Sequence, residues 1–171
     1  MVSPGKSKLG GIGGDRADEL YVPGRIGVCS RSGGMSAELS AALAAGGYGV
    51  STCISMGGDP ITGNDMVEYA REFEADPDTD GMLFYGEPGS ENEQGLAKAL
   101  QEGEITKPVV AMIAGVFQES HPAGLSFGHV AAMIRSSDDS ASAKQKLLSE
   151  SGAHVAHRLG EIPELLNAAL G

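Results

Sequence analysis

The sequence lacks any apolar run of the roughly 18 residues that a membrane-spanning helix requires. Its first residues also lack the basic and then apolar pattern of a secretory signal, so we expect a cytoplasmic location, or the mitochondrial matrix in a eukaryote. Only two cysteines are present, Cys29 and Cys53, and both lie in apolar, strand-like runs. We therefore expect buried free thiols rather than a disulfide, and the spacing of the two cysteines predicts no metal site.

Basic side chains are scarce as well. The chain carries 12 Lys and Arg against 23 Asp and Glu, which gives a formal net charge of −11 at pH 7. A nucleic-acid-binding protein needs basic side chains to neutralise phosphates, so this balance argues against nucleic acid as a partner. If the ligand is itself an anion, its binding must come from local backbone N–H groups, because the overall charge would repel it.

The chain does have enough apolar sequence for one compact domain. Of its 171 residues, 41% are apolar, which is an ordinary share for a globular protein. Residues 1–23 are rich in glycine and show little periodicity, and we predict that they form an extended arm or linker. Residues 24–171 are predicted to form the folded domain.

Short apolar runs alternate with amphipathic segments along this domain. The apolar runs predict five strands, at residues 25–29, 50–55, 81–85, 107–114 and 153–156. The amphipathic segments predict helices at about residues 35–45, 64–75, 91–102, 140–151 and 161–170. Strands that are apolar throughout and alternate with helices indicate a parallel sheet covered on both faces. The predicted fold class is therefore α/β, a flavodoxin-like doubly wound five-stranded parallel sheet in a three-layer αβα arrangement.

Glycine-rich turns follow the first three predicted strands, at the edge of the sheet where doubly wound proteins bind ligands. A turn between a strand and a helix presents N–H groups and the positive end of the helix dipole, which suit phosphate or a carboxylate. Tight turns that use glycine only for its backbone freedom explain the same residues about as well. The candidate anion-binding residues in these turns are Ser30, Arg31, Ser32, Gly33, Gly34, Gly57, Gly58 and Asp59.

His129 is the candidate nucleophile of the chain. It follows Gly128 in the loop after the fourth predicted strand and precedes small apolar residues, which would let a helix begin beside it. A neutral imidazole can attack phosphorus and carry a phosphoryl group. Glu87, at the end of the third predicted strand, could orient that imidazole as a carboxylate does in a catalytic triad. On composition alone, a structural histidine and a solvated glutamate are the simpler interpretations.

Five short motifs occur in a specific order: residues 30–36 (SRSGGMS), 57–60 (GGDP), 86–87 (GE), 106–110 (TKPVV) and 127–129 (FGH). In this order they resemble the nucleoside-diphosphate-forming acyl-CoA ligases. The similarity is to the second domain of the succinyl-CoA synthetase alpha subunit, and to the equivalent domain of ATP-citrate lyase and citryl-CoA synthetase. It extends over nearly the whole chain, and the double glycine before Met35 is closer to the citrate-using branch.

The resemblance implies a role for each candidate residue. His129 would be the histidine that is phosphorylated during turnover, and Glu87 the glutamate that contacts it. The turn residues, together with Gly128, would hold phosphate or substrate. In such enzymes ATP or GTP phosphorylates the histidine, the phosphoryl group passes to a carboxylate such as succinate or citrate, and the thiol of CoA attacks the acyl phosphate. Mg²⁺ would accompany the nucleotide, and the domain itself would bind no cofactor tightly and no metal.

The chain also departs from the family pattern. The family continues from its histidine with Ala-Gly-Ala, where this chain has Val130-Ala131-Ala132, and the residues after Glu87 differ too. The family's CoA-binding domain and its ATP-grasp subunit are not part of this chain. We therefore expect an acid–thiol ligase that works only within a larger, oligomeric enzyme, and an isolated chain that is inactive.

A second hypothesis belongs to a different class of function. The altered residues after His129 and the missing domains are compatible with a non-catalytic anion-binding or subunit-assembly module that has kept the fold and lost turnover. A phosphorelay receiver shares the predicted fold class, but the chain has no acidic pair at the end of its first predicted strand.

Overall fold

The computed structural model describes residues 1–125 and 127–171; Ser126, within the segment that leads to His129, lies outside the described residues. The strands are β1 (Val2–Ser3), β2 (Ser7–Lys8), β3 (Pro23–Ser30), β4 (Val50–Ser55), β5 (Gly81–Gly86), β6 (Val109–Ile113) and β7 (His154–Ala156). The α-helices are α1 (Ala17–Leu20), α2 (Gly33–Ala45), α3 (Met66–Ala75), α4 (Asn92–Gln101), α5 (Ala141–Glu150) and α6 (Ile162–Leu170).

The strands form one mixed sheet in the order β2-β1-β4-β3-β5-β6-β7. Strands β3 to β7 all pair in parallel, and their order, β4-β3-β5-β6-β7, is that of a flavodoxin-like doubly wound sheet. The predicted fold class is confirmed, with its five parallel strands. The carboxyl ends of three of them meet at one edge, because Ser30 is in register with Ser55 on one side and with Tyr85 on the other.

Among the described residues the sheet has seven strands rather than the five predicted, because the amino-terminal segment joins it. Residues 1–23 form a hairpin and the short helix α1 instead of remaining extended throughout. β1 pairs antiparallel with β2 and, through Val2 opposite Cys53, with the outer side of β4. Strands of two residues are too short to show an alternating pattern, which is why the sequence did not predict them.

Side-chain caps fix where α2, α3 and α5 begin, the last through Ser140, which accepts the N–H of Ala143 at 3.2 Å. Ser32 caps α2 by accepting the N–H of Met35 at 3.3 Å. Asp65 and Glu68 form a reciprocal capping box on α3, each carboxylate accepting the other residue's N–H at 2.8 Å. In the described part of the chain, no helix is long and apolar enough to cross a membrane.

The apolar faces of the helices cover both sides of the sheet in three layers. Helices α2 and α6 pack against each other on one side, while α3, α4 and α5 pack in turn on the other. Cys29 and Cys53 are free and buried, as predicted, and belong to the cores on opposite faces. Burial raises the pKa of the Cys53 thiol to about 11, so it stays protonated and unreactive at neutral pH.

Candidate active site

A cleft of about 290 Å³ opens at the carboxyl ends of the central strands. The strand order reverses between β3 and β5, so the helices that follow these two strands lie on opposite faces of the sheet and leave a crevice between them. Four residues predicted from the sequence line this cleft: Ser32, Glu87, Gly128 and His129.

Glu87 and His129 are in direct contact in the cleft. Both carboxylate oxygens of Glu87 lie within hydrogen-bonding distance of the imidazole Nδ1, at 2.9 Å for Oε1 and 2.8 Å for Oε2. The imidazole is 34% exposed, whereas the Glu87 side chain is 12% exposed. A carboxylate at Nδ1 favours the tautomer that carries its proton there, and this tautomer places the reactive lone pair on Nε2.

Arg31 lies behind Glu87 and is almost completely buried, with 2% of its surface exposed. Its Nε is 3.4 Å from Glu87 Oε1, but that N–H forms no hydrogen bond within the described residues, so the interaction is electrostatic. Its Nη2 donates to the backbone carbonyl of Asp59 at 3.5 Å. Arg31 therefore compensates the charge of a buried carboxylate. Its predicted role in binding phosphate stays a prediction.

Gly58 packs directly against the imidazole of His129. A Cβ atom at residue 58 would lie 2.1 Å from His129 Cγ, so no larger residue fits between the loop and the ring. The carbonyl of Gly58 accepts the N–H of Ala131 at 3.3 Å, which ties this loop to the segment after the histidine. Gly128 has a φ of +117°, a conformation that glycine allows and that turns the chain into His129.

The turn after β3 is held together by its own serines. The Ser30 hydroxyl donates to the carbonyl of Ser32 at 2.7 Å and accepts the N–H of Ser32 at 3.0 Å. Ser30 is fully buried, so it shapes the turn, and Ser32 is the serine that reaches the cleft. Gly33 and Gly34, predicted as loop residues, form the first turn of α2, where N–H groups have no acceptor within the helix.

The rest of the second glycine-rich loop contributes less to the cleft. Asp59 is exposed, and the atom that approaches the site is its backbone carbonyl beside Arg31 rather than its carboxylate. Gly57 has a φ of +90° and does not line the cleft. The loop therefore meets the site mainly through Gly58.

The prediction that a helix begins beside His129 is wrong. Within the described residues 127–140, the chain forms turns and one 3-10 turn, and the next α-helix begins at Ala141. The N–H of Ala132 donates to the carbonyl of His129 at 3.0 Å, and the N–H of Met133 donates to that of Ala131 at 2.9 Å. The segment bends sharply because it folds back onto the turn after β5. The helix that begins at the cleft is α2.

One rim of the cleft is aromatic, a feature that was not predicted from the sequence. Phe117 and Gln118 come from a 3-10 turn, Val116–Ser120, inside the long loop. The Phe127 ring lies 5.2 Å from that of Phe117 and 5.1 Å from that of His121. Two of the four phenylalanines of the chain fall in this glycine- and proline-containing loop, and that clustering was the available signal.

A buried ion pair beneath Glu87 was also missed. Lys144 of α5 and Glu93 of α4 are both 0% exposed, and Lys144 Nζ is 2.5 Å from Glu93 Oε2. Burial raises the pKa of the Glu93 carboxyl, and the Lys144 ammonium acts in the opposite direction. The sequence did carry a signal, because each charge lies on the apolar face of its helix, three residues before Leu96 and four before Leu148.

The side chains that could ligate a metal ion are dispersed in the described part of the chain. Within residues 1–125 and 127–171, no three or more His, Cys, Asp and Glu side chains come together to hold a metal ion. The described residues therefore offer no group of side chains that would hold Mg²⁺ on its own. The cleft is lined by His129, Glu87 and Ser32, and α2 begins beside it, an arrangement suited to handling phosphate.

Comparison with known proteins identifies the relatives of the chain. The sequence profile of the CoA-ligase family matches residues 29–154. An ADP-forming sulfoacetate-CoA ligase subunit from Bilophila wadsworthia is 36% identical over 171 residues, which are 100% of this chain and 57% of the relative. The alpha subunit of ADP-forming succinate–CoA ligase from Methanothermobacter thermautotrophicus is 36% identical over 171 residues, 100% of this chain and 55% of the relative.

A solved structure extends this result to the whole fold. The ATP citrate lyase of Methanosaeta concilii, in complex with (3S)-citryl-CoA, matches with a TM-score of 0.91 at 29% sequence identity. The match covers 99% of this chain and 28% of that one. The chain spans just over half the length of the two curated ligase subunits, and a quarter to a third of the lyase. The resemblance drawn from the five motifs is confirmed, and the chain belongs to the CoA-ligase family.

Proposed function

We propose that this chain is the phosphohistidine-bearing domain of an ATP- or GTP-dependent acid–CoA ligase. The observation that carries the proposal is the contact of the Glu87 carboxylate with Nδ1 of His129, at 2.8 and 2.9 Å, in a cleft at the topological switch point of the sheet. A half-buried histidine held in one tautomer by a buried carboxylate has the arrangement of an activated nucleophile.

In the proposed reaction, Nε2 of His129 attacks the terminal phosphorus of the nucleotide. An N–P bond forms as the P–O bond to the departing nucleoside diphosphate breaks. Glu87 keeps the proton on Nδ1 and stabilises the positive charge that the ring acquires. A carboxylate oxygen of the substrate then attacks the phosphorus, which gives an acyl phosphate and restores His129. The CoA sulfur finally attacks the acyl carbon, forming the thioester and releasing phosphate.

The surrounding residues of the chain would support the phosphoryl group locally. Ser32 lines the cleft at the start of α2, where the positive end of the helix dipole favours an anion. The net charge of −11 disfavours anions at long range, so this short-range attraction matters. Arg31 would act indirectly, by compensating Glu87.

The substrate we propose is a carboxylic acid with a second anionic group. Sulfoacetate and succinate, named for the two ligase relatives, and citrate, named for the lyase, all share that feature. The aromatic rim formed by Phe117 and Phe127 borders the cleft that would receive this acid.

Other parts of the enzyme would complete the reaction. We propose that a CoA-binding domain and an ATP-grasp subunit, which would also bring Mg²⁺ with the nucleotide, supply the donor and acceptor sites. The length of the relatives, nearly twice that of this chain, supports this arrangement. The chain alone is then a phosphate carrier without turnover.

The proposal is tested by labelling. When the chain is incubated with its nucleotide-binding partner subunit and ATP labelled on the terminal phosphate, we expect an acid-labile, base-stable phosphoprotein. His129→Ala should remove the label, whereas His121→Ala, which changes another imidazole near the same cleft, should keep it.

The alternative function gives the opposite result. A non-catalytic anion-binding or assembly module would take up no label in the parent chain, although it would still bind its partner. Equal labelling of the parent and the His129→Ala variant would also refute the proposal, because the phosphate would then sit elsewhere.

A further inference from the structure

Lys144 makes more contacts than an ion pair requires. Its Nζ donates to the carbonyls of Glu87 at 2.9 Å and Ser90 at 3.1 Å, and also to the carbonyl of Gly89. The carboxylate of Glu93 is a fourth acceptor, at 2.5 Å. An ammonium group has three protons, so this fully buried lysine is saturated by acceptors, and three of the four belong to one turn.

That turn, residues 87–90, joins β5 to the loop before α4 and has an unusual backbone. Gly89 has a φ of +73°, and Ser90, with a φ of +53°, is the one non-glycine residue with a positive φ among those described. Such a conformation costs free energy and persists only where the surroundings hold it. Three carbonyls directed at one ammonium help to hold it here, together with the N–H of Gly89, which donates to the carbonyl of Asp139 at 3.0 Å.

Glu93 fixes the other backbone group of Glu87. Its Oε1 accepts the N–H of Glu87 at 3.2 Å, while Lys144 binds the carbonyl of the same residue. The backbone of Glu87 is thus held on both sides by the buried pair, and its side chain reaches His129. Gly89 also packs against the carbonyl of Ala131, so the turn borders the segment that carries the histidine.

We propose that Lys144 and Glu93 are positioning residues that hold Glu87 against Nδ1 of His129. The catalytic consequence of this role rests on the proposed function; the geometric role does not. A buried ion pair contributes little net stability compared with apolar residues of the same volume. Its particular contribution here is a set of directed hydrogen bonds to the turn, which an apolar pair could not provide.

The geometric role is tested by nuclear magnetic resonance on the full chain. The ¹⁵N shifts of the imidazole report which ring nitrogen carries the proton, and they should show the parent His129 mainly as the Nδ1-protonated tautomer. In Lys144→Met the carbonyls of the turn lose their donor, Glu87 shifts, and the signals should move to a mixture of tautomers. Lys146→Met is the matched control, because it removes an exposed lysine from the same helix, 3.8 Å from Glu150.

A folded Lys144→Met chain with unchanged His129 signals would overturn the proposal. The amide spectrum of β3 and β4 reports whether the chain is folded. If Lys144→Met does not fold, Glu93→Gln decides, because it keeps the side-chain shape but replaces one of two accepting oxygens with a donor NH₂, so the hydrogen bond to the Glu87 N–H or the one to Lys144 is lost. The same two outcomes apply to it: mixed tautomers support the proposal, and parent-like signals refute it.

A kinetic measurement separates this proposal from the proposed function. In the complete enzyme, the Lys144→Met variant should be phosphorylated about 100-fold more slowly than the parent, because the reacting groups are misplaced. The KM for nucleotide should change little, because the nucleotide site is intact. Parent-like phosphorylation by the variant would refute the positioning role alone. If the parent itself takes no phosphate, the proposed function fails, and the tautomer measurement still decides the role of Lys144.

Discussion

At the scale of single residues, the imidazole of His129 is held on two sides. Glu87 binds its Nδ1, and the backbone of Gly58 closes against its ring, at a distance that leaves no space for a methyl group. The two contacts act together, since the glycine sets where the ring lies and the carboxylate sets which nitrogen carries the proton.

Gly58→Ala should therefore displace the imidazole. The added Cβ would lie 2.1 Å from His129 Cγ, so either the ring or the loop must move. A displacement of about 1 Å at a reacting group costs on the order of 100-fold in rate. We expect the rate of phosphohistidine formation in the complete enzyme to fall by about that factor, measured with labelled nucleotide.

Gly63→Ala is the control for this substitution. Residue 63 is a glycine close to the same loop, with nothing within 4 Å of the added Cβ, so phosphorylation should be unchanged. Similar rates for Gly58→Ala and the parent would show that the packing of Gly58 against the ring does not matter.

Motif order predicted which residues meet, but not how they are arranged. Glu87 and His129 are 42 residues apart, and their contact followed from placing both at the carboxyl ends of parallel strands. The direction of the Arg31 side chain and the approach of Gly58 to the imidazole depend on the packing of separate loops. No spacing within the sequence encodes either contact.

At the scale of elements, periodicity predicted every parallel strand and the long helices, because apolar runs and amphipathic stripes are local signals. The predicted start of α2 was two residues too late, because Gly33 and Gly34 are weak helix formers and glycine pairs are typical of loops. The turn after His129 was mistaken for a helix start because its path is set by contact with the turn after β5.

Glu74 connects α3 to the segment before β6 and makes the stability of the fold depend on pH. Near the end of α3, its carboxylate accepts the Thr106 hydroxyl at 2.5 Å and the N–H groups of Thr106 and Lys107 at 3.1 Å, just before β6. Partial burial acts to raise the pKa of the Glu74 carboxyl, but these hydrogen bonds outweigh it and the pKa is lowered.

Because the pKa of the Glu74 carboxyl is lower in the folded chain than in the unfolded chain, its ionised form stabilises the fold. This stabilisation is fully present at a pH above the unfolded-state pKa of about 4.3, and it is lost as the pH falls through the folded-state pKa. Glu74→Gln removes the titrating group. We expect the urea midpoint of the variant to be lower than that of the parent at pH 7, and the gap to narrow below about pH 4. A gap of constant size across that range would contradict the prediction.

At the scale of the whole molecule, the amino-terminal segment is part of the folded core rather than a linker. Val2, Ala17 and Tyr21 are buried in the same core as Leu39 and Leu43 of α2. The Tyr21 hydroxyl also lies 3.1 Å from the Ser36 hydroxyl. The predicted division at residues 23 and 24 rested on composition, which does not reveal that an irregular segment packs against a helix.

A chain limited to residues 24–171 should therefore be much less stable than the full chain. Burial of a large apolar side chain contributes about 1.5–3 kcal/mol, so the loss of Val2 and Tyr21 removes about 3–6 kcal/mol. Typical domains have only about 5–15 kcal/mol of net stability. We expect the urea midpoint, followed by circular dichroism, to fall sharply or the shortened chain to be unfolded.

A shorter deletion separates the contributions of the hairpin and of α1. Removing residues 1–9 takes away β1, β2 and Val2 but leaves Ala17 and Tyr21 in place, so the loss should be about 1.5–3 kcal/mol. The urea midpoint should be highest for the full chain, lower for residues 10–171 and lowest for residues 24–171. If the last two chains were as stable as the first, residues 1–23 would be a linker after all, and the core on that face would be complete without Tyr21.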